Sequence, residues 1–328
     1  MRRRRFLSSL AGGILAQSFL AFAQPPGKVH RIGFLGSTSA AAPGALSRIE
    51  ALRTGLRDLG YVEGKNIVIE FRWTEGNYDR LPELAAELVR LKVDVIVTHG
   101  TPGTRAAKQA TTTIPIVTAA VGDAVAGGLV ASLARPGGNI TGSSFFGPEL
   151  MSKRLGLLKE AFPTATRFAV LSNSSNPTSS AEYQAMELAA KAIKVSLQAS
   201  PVTGLAEIGR ALAAMAEQRV DGVVIQEDSL LNVNARAVAQ LAAQRRLPSI
   251  AGIEFVEAGG LIGYGVDFPA LFRRAAYFVD RILKGTKPGD LPMEQPTKFE
   301  LIVNGKTAAA LGLSISRTVL QRADRVIE

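Results

Sequence analysis

The chain has no cysteine. That excludes disulfides, thiolate metal sites, a cysteine nucleophile and a lipid-modified N-terminal cysteine together. Histidine is nearly absent too. His30 and His99 are the only two, and neither has the neighbours that a metal centre requires. No G-x-S-x-G and no G-x-x-x-x-G-K-[ST] occurs, so no catalytic constellation and no phosphate loop is visible. Pro136-Gly137-Gly138-Asn139 reads as a tight turn, because it precedes a strand pattern instead of following one. No basic cluster interleaved with aromatics is present, which argues against a nucleic-acid partner. Beyond residue 23, no run has the length and apolarity of a membrane-spanning helix. The sequence therefore reads as a binding protein with no enzyme activity and no cofactor.

What is present begins at the N-terminus. Arg2, Arg3, Arg4 and Arg5 precede a mildly apolar stretch, Phe6 to Phe22, that ends on Ala21-Phe22-Ala23. Positive region, apolar region and small-residue cleavage site in that order predict a secretory signal peptide over residues 1–23, with Gln24 as the mature start. Arg3-Arg4-x-Phe6-Leu7 also fits a twin-arginine signal, and an ordinary Sec signal fits equally well. With no lipid anchor, the expected address is free in the periplasm. The formal charge of +10 shrinks accordingly. Four arginines leave with the signal, 34 basic residues then face 28 acidic ones, and the mature balance is about +6.

The remaining 305 residues are enough for two domains. Short β-rich runs alternate with helical periods. Strands are predicted at 31–35, 66–72, 93–98, 115–118 and 139–142, with helices at 44–59, 78–91, 104–111 and 127–134 between them. The series then restarts. Strands at 167–171, 195–200, 222–226, 248–250 and 260–264 alternate with helices at 150–161, 181–193, 205–218, 234–245 and 271–283. After a turn-rich stretch from Lys284, a strand at 299–303 and a short helix to Leu311 close the pattern. Apolar strands spaced by helices imply βαβ units and buried parallel sheets. Two similar series imply two similar α/β lobes.

Several runs, in order, resemble the substrate-binding proteins of ABC transporters whose best-understood members bind aromatic amino acids such as tryptophan. They are Gly60-Tyr-Val-Glu-Gly-Lys-Asn66, Arg72-Trp-Thr-Glu-Gly76, Asp79-Arg-Leu-Pro82, Gly100-Thr-Pro102, Ala134-Arg-Pro-Gly-Gly-Asn-Ile-Thr-Gly142, Gly259-Gly-Leu-Ile-Gly-Tyr-Gly265 and Glu294-Gln-Pro-Thr-Lys-Phe-Glu300. The resemblance covers nearly the whole mature chain. It implies a type I periplasmic-binding-protein fold, with two doubly wound parallel-sheet lobes joined by three hinge crossings. Lobe one would comprise 29–141 and 267–287, and lobe two 142–266 and 288–328. It also implies a monomer that captures a small organic solute, an amino acid or related carboxylate, and delivers it to an ABC permease in the inner membrane. A periplasmic ligand-sensing subunit for a signalling receptor is the alternative on the same fold.

Ligands in open α/β sheets sit beyond the carboxyl ends of the strands, and that rule selects the candidate residues. Thr101, Pro102, Gly103 and Thr104 follow the third strand. Thr101 suits an N-cap and Pro102 a first helical position, so the free N–H groups of that turn suit a carboxylate; a plain capped helix would look the same. Ser37 and Thr38, after the first strand, offer hydroxyls to the same group or form a turn. Asp123, Asp228 and Asp267 are candidate acceptors for an ammonium, or helix caps. Asn173 mirrors Ser37 in the second lobe, and Tyr264 lies on the returning crossover. His99 replaces the small residue usual in such proteins at this place. Trp73 reads as loop packing more than as ligand stacking, and Phe145 and Phe146 as cleft lining or hinge.

Overall fold

The computed structural model describes residues 28–42, 44–145 and 147–328; the expected export segment and Phe146 lie outside them. The first series runs β1 (His30–Gly36), α1 (Ala45–Asp58), β2 (Ile67–Trp73), a 3-10 turn (Tyr78–Arg80), α2 (Leu81–Arg90), β3 (Val95–Thr98), α3 (Gly100–Ala110), β4 (Ile116–Val121) and β5 (Ile140–Ser144). Its five strands form one wholly parallel sheet in the order β2-β1-β3-β4-β5. The reversal of order beside β1 is the doubly wound arrangement, with helices on both faces.

The second series runs α4 (Gly147–Ala161), β6 (Arg167–Asn173), α5 (Ser179–Ala192), β7 (Ser196–Val202), α6 (Leu205–Glu217), β8 (Gly222–Ile225), α7 (Ser229–Val233), α8 (Ala235–Gln244), β9 (Ser249–Ala251), α9 (Ile253–Glu257) and β10 (Ile262–Val266). Then come α10 (Phe268–Leu283), β11 (Phe299–Asn304), α11 (Gly305–Leu311), α12 (Arg317–Arg322) and β12 (Arg325–Ile327). The second sheet has the order β12-β11-β10-β9-β8-β6-β7. All its pairings are parallel except β10 with β11.

Apolar periodicity explains the layers. α1 turns Ile49, Leu52 and Leu56 onto the first sheet, where Phe272, Ala276 and Val279 of α10 join them. Gly55 allows the two helices to touch, since a Cβ there would lie 2.5 Å from the Arg273 carbonyl oxygen. α2 and α3 cover the opposite face with Leu84, Leu88 and Ala107. On the second sheet, α4 and α5 supply Leu155, Leu158 and Met186 to one face. Ile208 and Leu212 of α6 and Val238 of α8 supply the other.

The chain passes between the sheets three times: from β5 to α4, from β10 to α10, and from Glu294 to β11. Residues 288–294, expected with the second sheet, run along the first. Thr141 Oγ1 donates to the Leu291 carbonyl (2.8 Å), and the Met293 amide donates to Leu133 (2.8 Å). The first and third crossings pair directly, with Glu294 N to Gly142 O at 2.9 Å and Ser144 N to Glu294 O at 2.8 Å. Arg274 of α10 holds the Glu294 carboxylate with two nitrogens at 2.8 and 2.6 Å. The three crossings thus form one bound bundle.

Residues 127–134 are turns where a helix was expected. Gly128 adopts φ +66°, and the Leu129 and Val130 amides both return to the Ala124 carbonyl, which spends the donors a helix would need. No helix among the described residues is long and apolar enough to cross a membrane.

Candidate functional site

The carboxyl ends of the strands of both sheets face one another, and the polar residues that follow them meet there. Ser37 and Thr38 follow β1 and are buried. Ser37 Oγ donates to the His99 carbonyl (3.2 Å). α3 begins at Gly100 with His99 in the cap position, two residues earlier than expected for a Thr101 cap. Thr101 and Gly103 are buried in its first turn. Thr104 Oγ1 turns inward, donating to the Gly100 carbonyl (2.9 Å) and lying 3.1 Å from Thr118 Oγ1. Pro102, in that same turn, is half-buried.

The three aspartates, expected as ammonium acceptors or helix caps, each hold donors of the protein itself. Asp123 gives one oxygen to the Val125 and Ala126 amides and shapes its own turn. Asp267 caps α10 through the Ala270 amide (3.0 Å). Asp228 is buried and receives four donors: Tyr78 Oη (2.7 Å), Asn176 Nδ2 (2.9 Å), Asn173 Nδ2 (3.0 Å) and the Leu230 amide (2.8 Å). Burial raises its pKa, and these donors pull against that rise. Tyr264 stacks its ring on Phe299 of the third crossing (centroids 5.9 Å, interplanar 19°) and stands with the hinge. Trp73 ends β2, expected in a loop after it, and lies flat on Phe71 and close to Phe34. Phe145 meets Phe268 edge-on, joining the first crossing to the second.

Among the described residues, two polar side-chain contacts cross the cleft. The Tyr78 phenol, on the loop after β2, donates to Asp228 and accepts from the Ser229 amide at 3.1 Å. Burial beside Asp228 holds that phenol well above its ordinary pKa, so it stays protonated. The second contact is an ion pair. Arg48 of α1 gives Nε (3.2 Å) and Nη2 (2.5 Å) to Glu254 Oε1 on α9. The side chains are only 6% and 9% exposed, and the guanidinium lies 4.4 Å above the Phe268 ring. His99 is buried beside them; burial first, then the Arg48 charge, drives its pKa down to about 3, so it is neutral. Phe34, Trp73, His99 and Phe272 line a small recess against Arg48 and Thr38.

A second buried charge braces the second lobe. Arg154 of α4 is 0% exposed. Its Nε donates to the Tyr264 carbonyl (2.8 Å), Nη1 to Ile225 (3.2 Å) and Nη2 to Glu227 Oε2 (2.6 Å). Burial opposes ionisation of Glu227, but Arg154 and the Asn232 amide outweigh it and hold its pKa low. One guanidinium therefore ties α4, β8 and β10 together beside the crossings. Beyond Glu254 the cleft widens into a groove of about 610 Å³ flanked by Phe268, Asp267 and Lys298. At the opposite end, about 410 Å³ opens between Glu75–Asp79 and Asn173, Ser175 and Thr203. No group of metal-ligating side chains occurs among the described residues.

Sequence reasoning passed over Tyr78, Arg48, Arg154 and Glu254 as site residues. A signal existed for the two arginines. Arg48 falls at i, i+4, i+8 with Leu52 and Leu56, and Arg154 lies between Met151, Leu155 and Leu158, so each is a charge on an apolar stripe.

Two doubly wound lobes, three crossings and polar strand ends meeting in a cleft define a two-lobed solute-binding protein. Over residues 39–327 the chain matches the model of the ABC transporter substrate binding protein family, and it belongs to that family. It is thus the small-ligand-binding component of an ABC transporter and not an enzyme. It is 30% identical over 259 residues to a tyrosine-binding protein of Clostridioides difficile (strain R20291), covering 79% of this chain and 74% of that one. It resembles the ABC domain from Streptococcus pneumoniae in complex with L-Trp, with TM-score 0.82, 26% identity, and coverage of 90% of this chain and all of that one. The ligand-free, open structure of a substrate binding protein with adhesive properties from Clostridium difficile matches at TM-score 0.65 and 26% identity, over 91% and 99% of the two chains.

Proposed function

We propose that the protein is the periplasmic receptor of an ABC importer, and that it closes its lobes on an amino acid or related carboxylate for delivery to an inner-membrane permease. The bond from Tyr78 to Asp228 carries the reading: it joins residues 150 positions apart, one from each lobe, and it exists only when the lobes meet. The greater likeness to the tryptophan-bound structure than to the open one supports a closed arrangement here. Hinge closure of this kind hides the solute and changes the surface offered to a permease.

The lobes we assign are 28–144 with 268–294, and 147–266 with 299–328, which moves the expected boundary at 287/288 to the third crossing. The solute's carboxylate faces Ser37, Thr38 and the first turn of α3, with Thr101. The protein acts as a monomer, released into the periplasm by cleavage after Ala23. Calorimetry against a panel of amino acids and aromatic acids tests the function. Binding of a neutral solute with no carboxylate bound would overturn it. Replacing Arg3 and Arg4 with lysine stops export if the twin-arginine route is used, and leaves it intact if the Sec route is used.

A further inference from the structure

The Arg48–Glu254 pair has no adequate structural account. Burying two charges costs about as much as their attraction returns, and this pair lies in a cleft between lobes whose cores are complete without it. Its geometry is also lopsided. Both donated nitrogens of Arg48 converge on one oxygen, Glu254 Oε1. Glu254 Oε2 is buried and has no hydrogen-bond partner among the described residues. A buried carboxylate oxygen without a donor is costly and calls for one. The Nη1 edge of Arg48 is not spent on this carboxylate either. Glu254 lines the groove of about 610 Å³, a volume within the range of small-molecule sites, and Arg48 reaches Glu254 from the other lobe beside Thr38. The aspartates that the strand-end rule selected are committed elsewhere: Asp228 to four donors, Asp123 to its own turn, and Asp267 to the start of α10.

We propose that Arg48 and Glu254 read the two charges of a zwitterionic solute, Glu254 Oε2 accepting from its ammonium and the free edge of Arg48 donating to its carboxylate beside Thr38. The inference rests on the function proposed above and assigns the charge-reading residues of that same cleft. One side chain comes from each lobe, so a zwitterion completes a chain of alternating charges only when the lobes close. An uncharged or singly charged solute leaves one partner of the pair unmatched.

Calorimetry with three probes tests this: L-tyrosine, its des-amino analogue 3-(4-hydroxyphenyl)propionate, and its decarboxylated analogue tyramine. Wild-type protein binds L-tyrosine more tightly than either analogue. Glu254→Gln, which keeps size and shape, weakens L-tyrosine by about tenfold or more and leaves the des-amino acid within about twofold. Arg48→Met weakens the two carboxylates and spares tyramine. Arg48→Lys, which keeps the charge in case the methionine variant fails to fold, gives an intermediate loss for the carboxylates. Equal losses for all three probes mean a lobe latch that does not touch solute, and overturn the proposal. So does an unchanged L-tyrosine affinity in Glu254→Gln. If wild-type protein binds related carboxylates but no amino acid, this assignment fails and the function proposed above stands; if it binds no carboxylate at all, both fail.

Discussion

Replacing Tyr78 with phenylalanine removes one oxygen from the closed cleft and nothing from either core. That oxygen donates to Asp228 at 2.7 Å and accepts from the Ser229 amide at 3.1 Å. Of the four donors on Asp228, it alone comes from the other lobe; Asn173, Asn176 and Leu230 stay in place. When the lobes part, water replaces the phenol at both groups, so the open form hardly notices the substitution. A hydrogen bond to a charged group is worth about 1.5–3 kcal/mol. Three donors remain on Asp228, so the lower end applies, roughly 1.5–2 kcal/mol against closure, or about 10–30-fold in its equilibrium constant. If solute is held only by the closed form, apparent affinity falls by up to that factor. Calorimetric titration of wild type and Tyr78→Phe measures it, with urea unfolding of the solute-free proteins alongside. Affinity should fall while solute-free stability changes by no more than about 0.5 kcal/mol. Unchanged affinity would refute the reasoning, as would a stability loss matching the affinity loss, because Tyr78 would then be serving its own lobe. A double-mutant cycle with Asp228→Asn isolates the pair.

Three further outcomes follow from other sites. Burial lifts the Glu182 carboxyl to about 7 despite donors from Gln226 and Thr178. The native state therefore holds a proton that the unfolded state releases, and about 3 kcal/mol of stability is present below pH 4.5 and lost as pH rises to 7. Glu182→Gln should erase that decline in urea unfolding across the range; an unaltered decline contradicts it. His99 acts with the opposite sign. Its neutral ring, with pKa about 3, contributes roughly 4–5 kcal/mol above pH 6.5 that disappears toward pH 3, so His99→Gln should show a shallower acid loss than wild type. Gly142, on β5 at the first crossing, adopts φ +131°, and a Cβ would lie 2.0 Å from the Thr118 carbonyl oxygen. Gly142→Ala should cost several kcal/mol in chemical denaturation; a loss below about 1 kcal/mol would show that β4 and β5 can separate freely.

The scaffold was legible because burial on both faces makes parallel strands read as apolar runs. The runs around Ile32, Val95, Ile116, Phe168 and Val223 all became strands. Short elements were not legible. α7 and α9 have five residues each, too few for a helical period to emerge, yet they carry Ser229 and Glu254. Within the site, strand ends located Ser37, Asn173 and Asp228 in the cleft region, since that rule needs only local order. It could not tell which carboxylates would be consumed by neighbours. Asp228 meets Tyr78, and Glu254 meets Arg48, only after three crossings have brought the two lobes together. Such pairings join residues 150 and 206 positions apart, and no periodicity records them.

The path of the chain has a consequence for biogenesis. The face of the first sheet that carries Phe34 and Val97 is covered by Phe272 and Val279 of α10, which emerge from the ribosome long after β5. The second sheet waits likewise for β11 and β12. Neither half can be finished from an uninterrupted stretch of polypeptide. A chain cut before α10 leaves the first core open, and one cut before β11 leaves the second open.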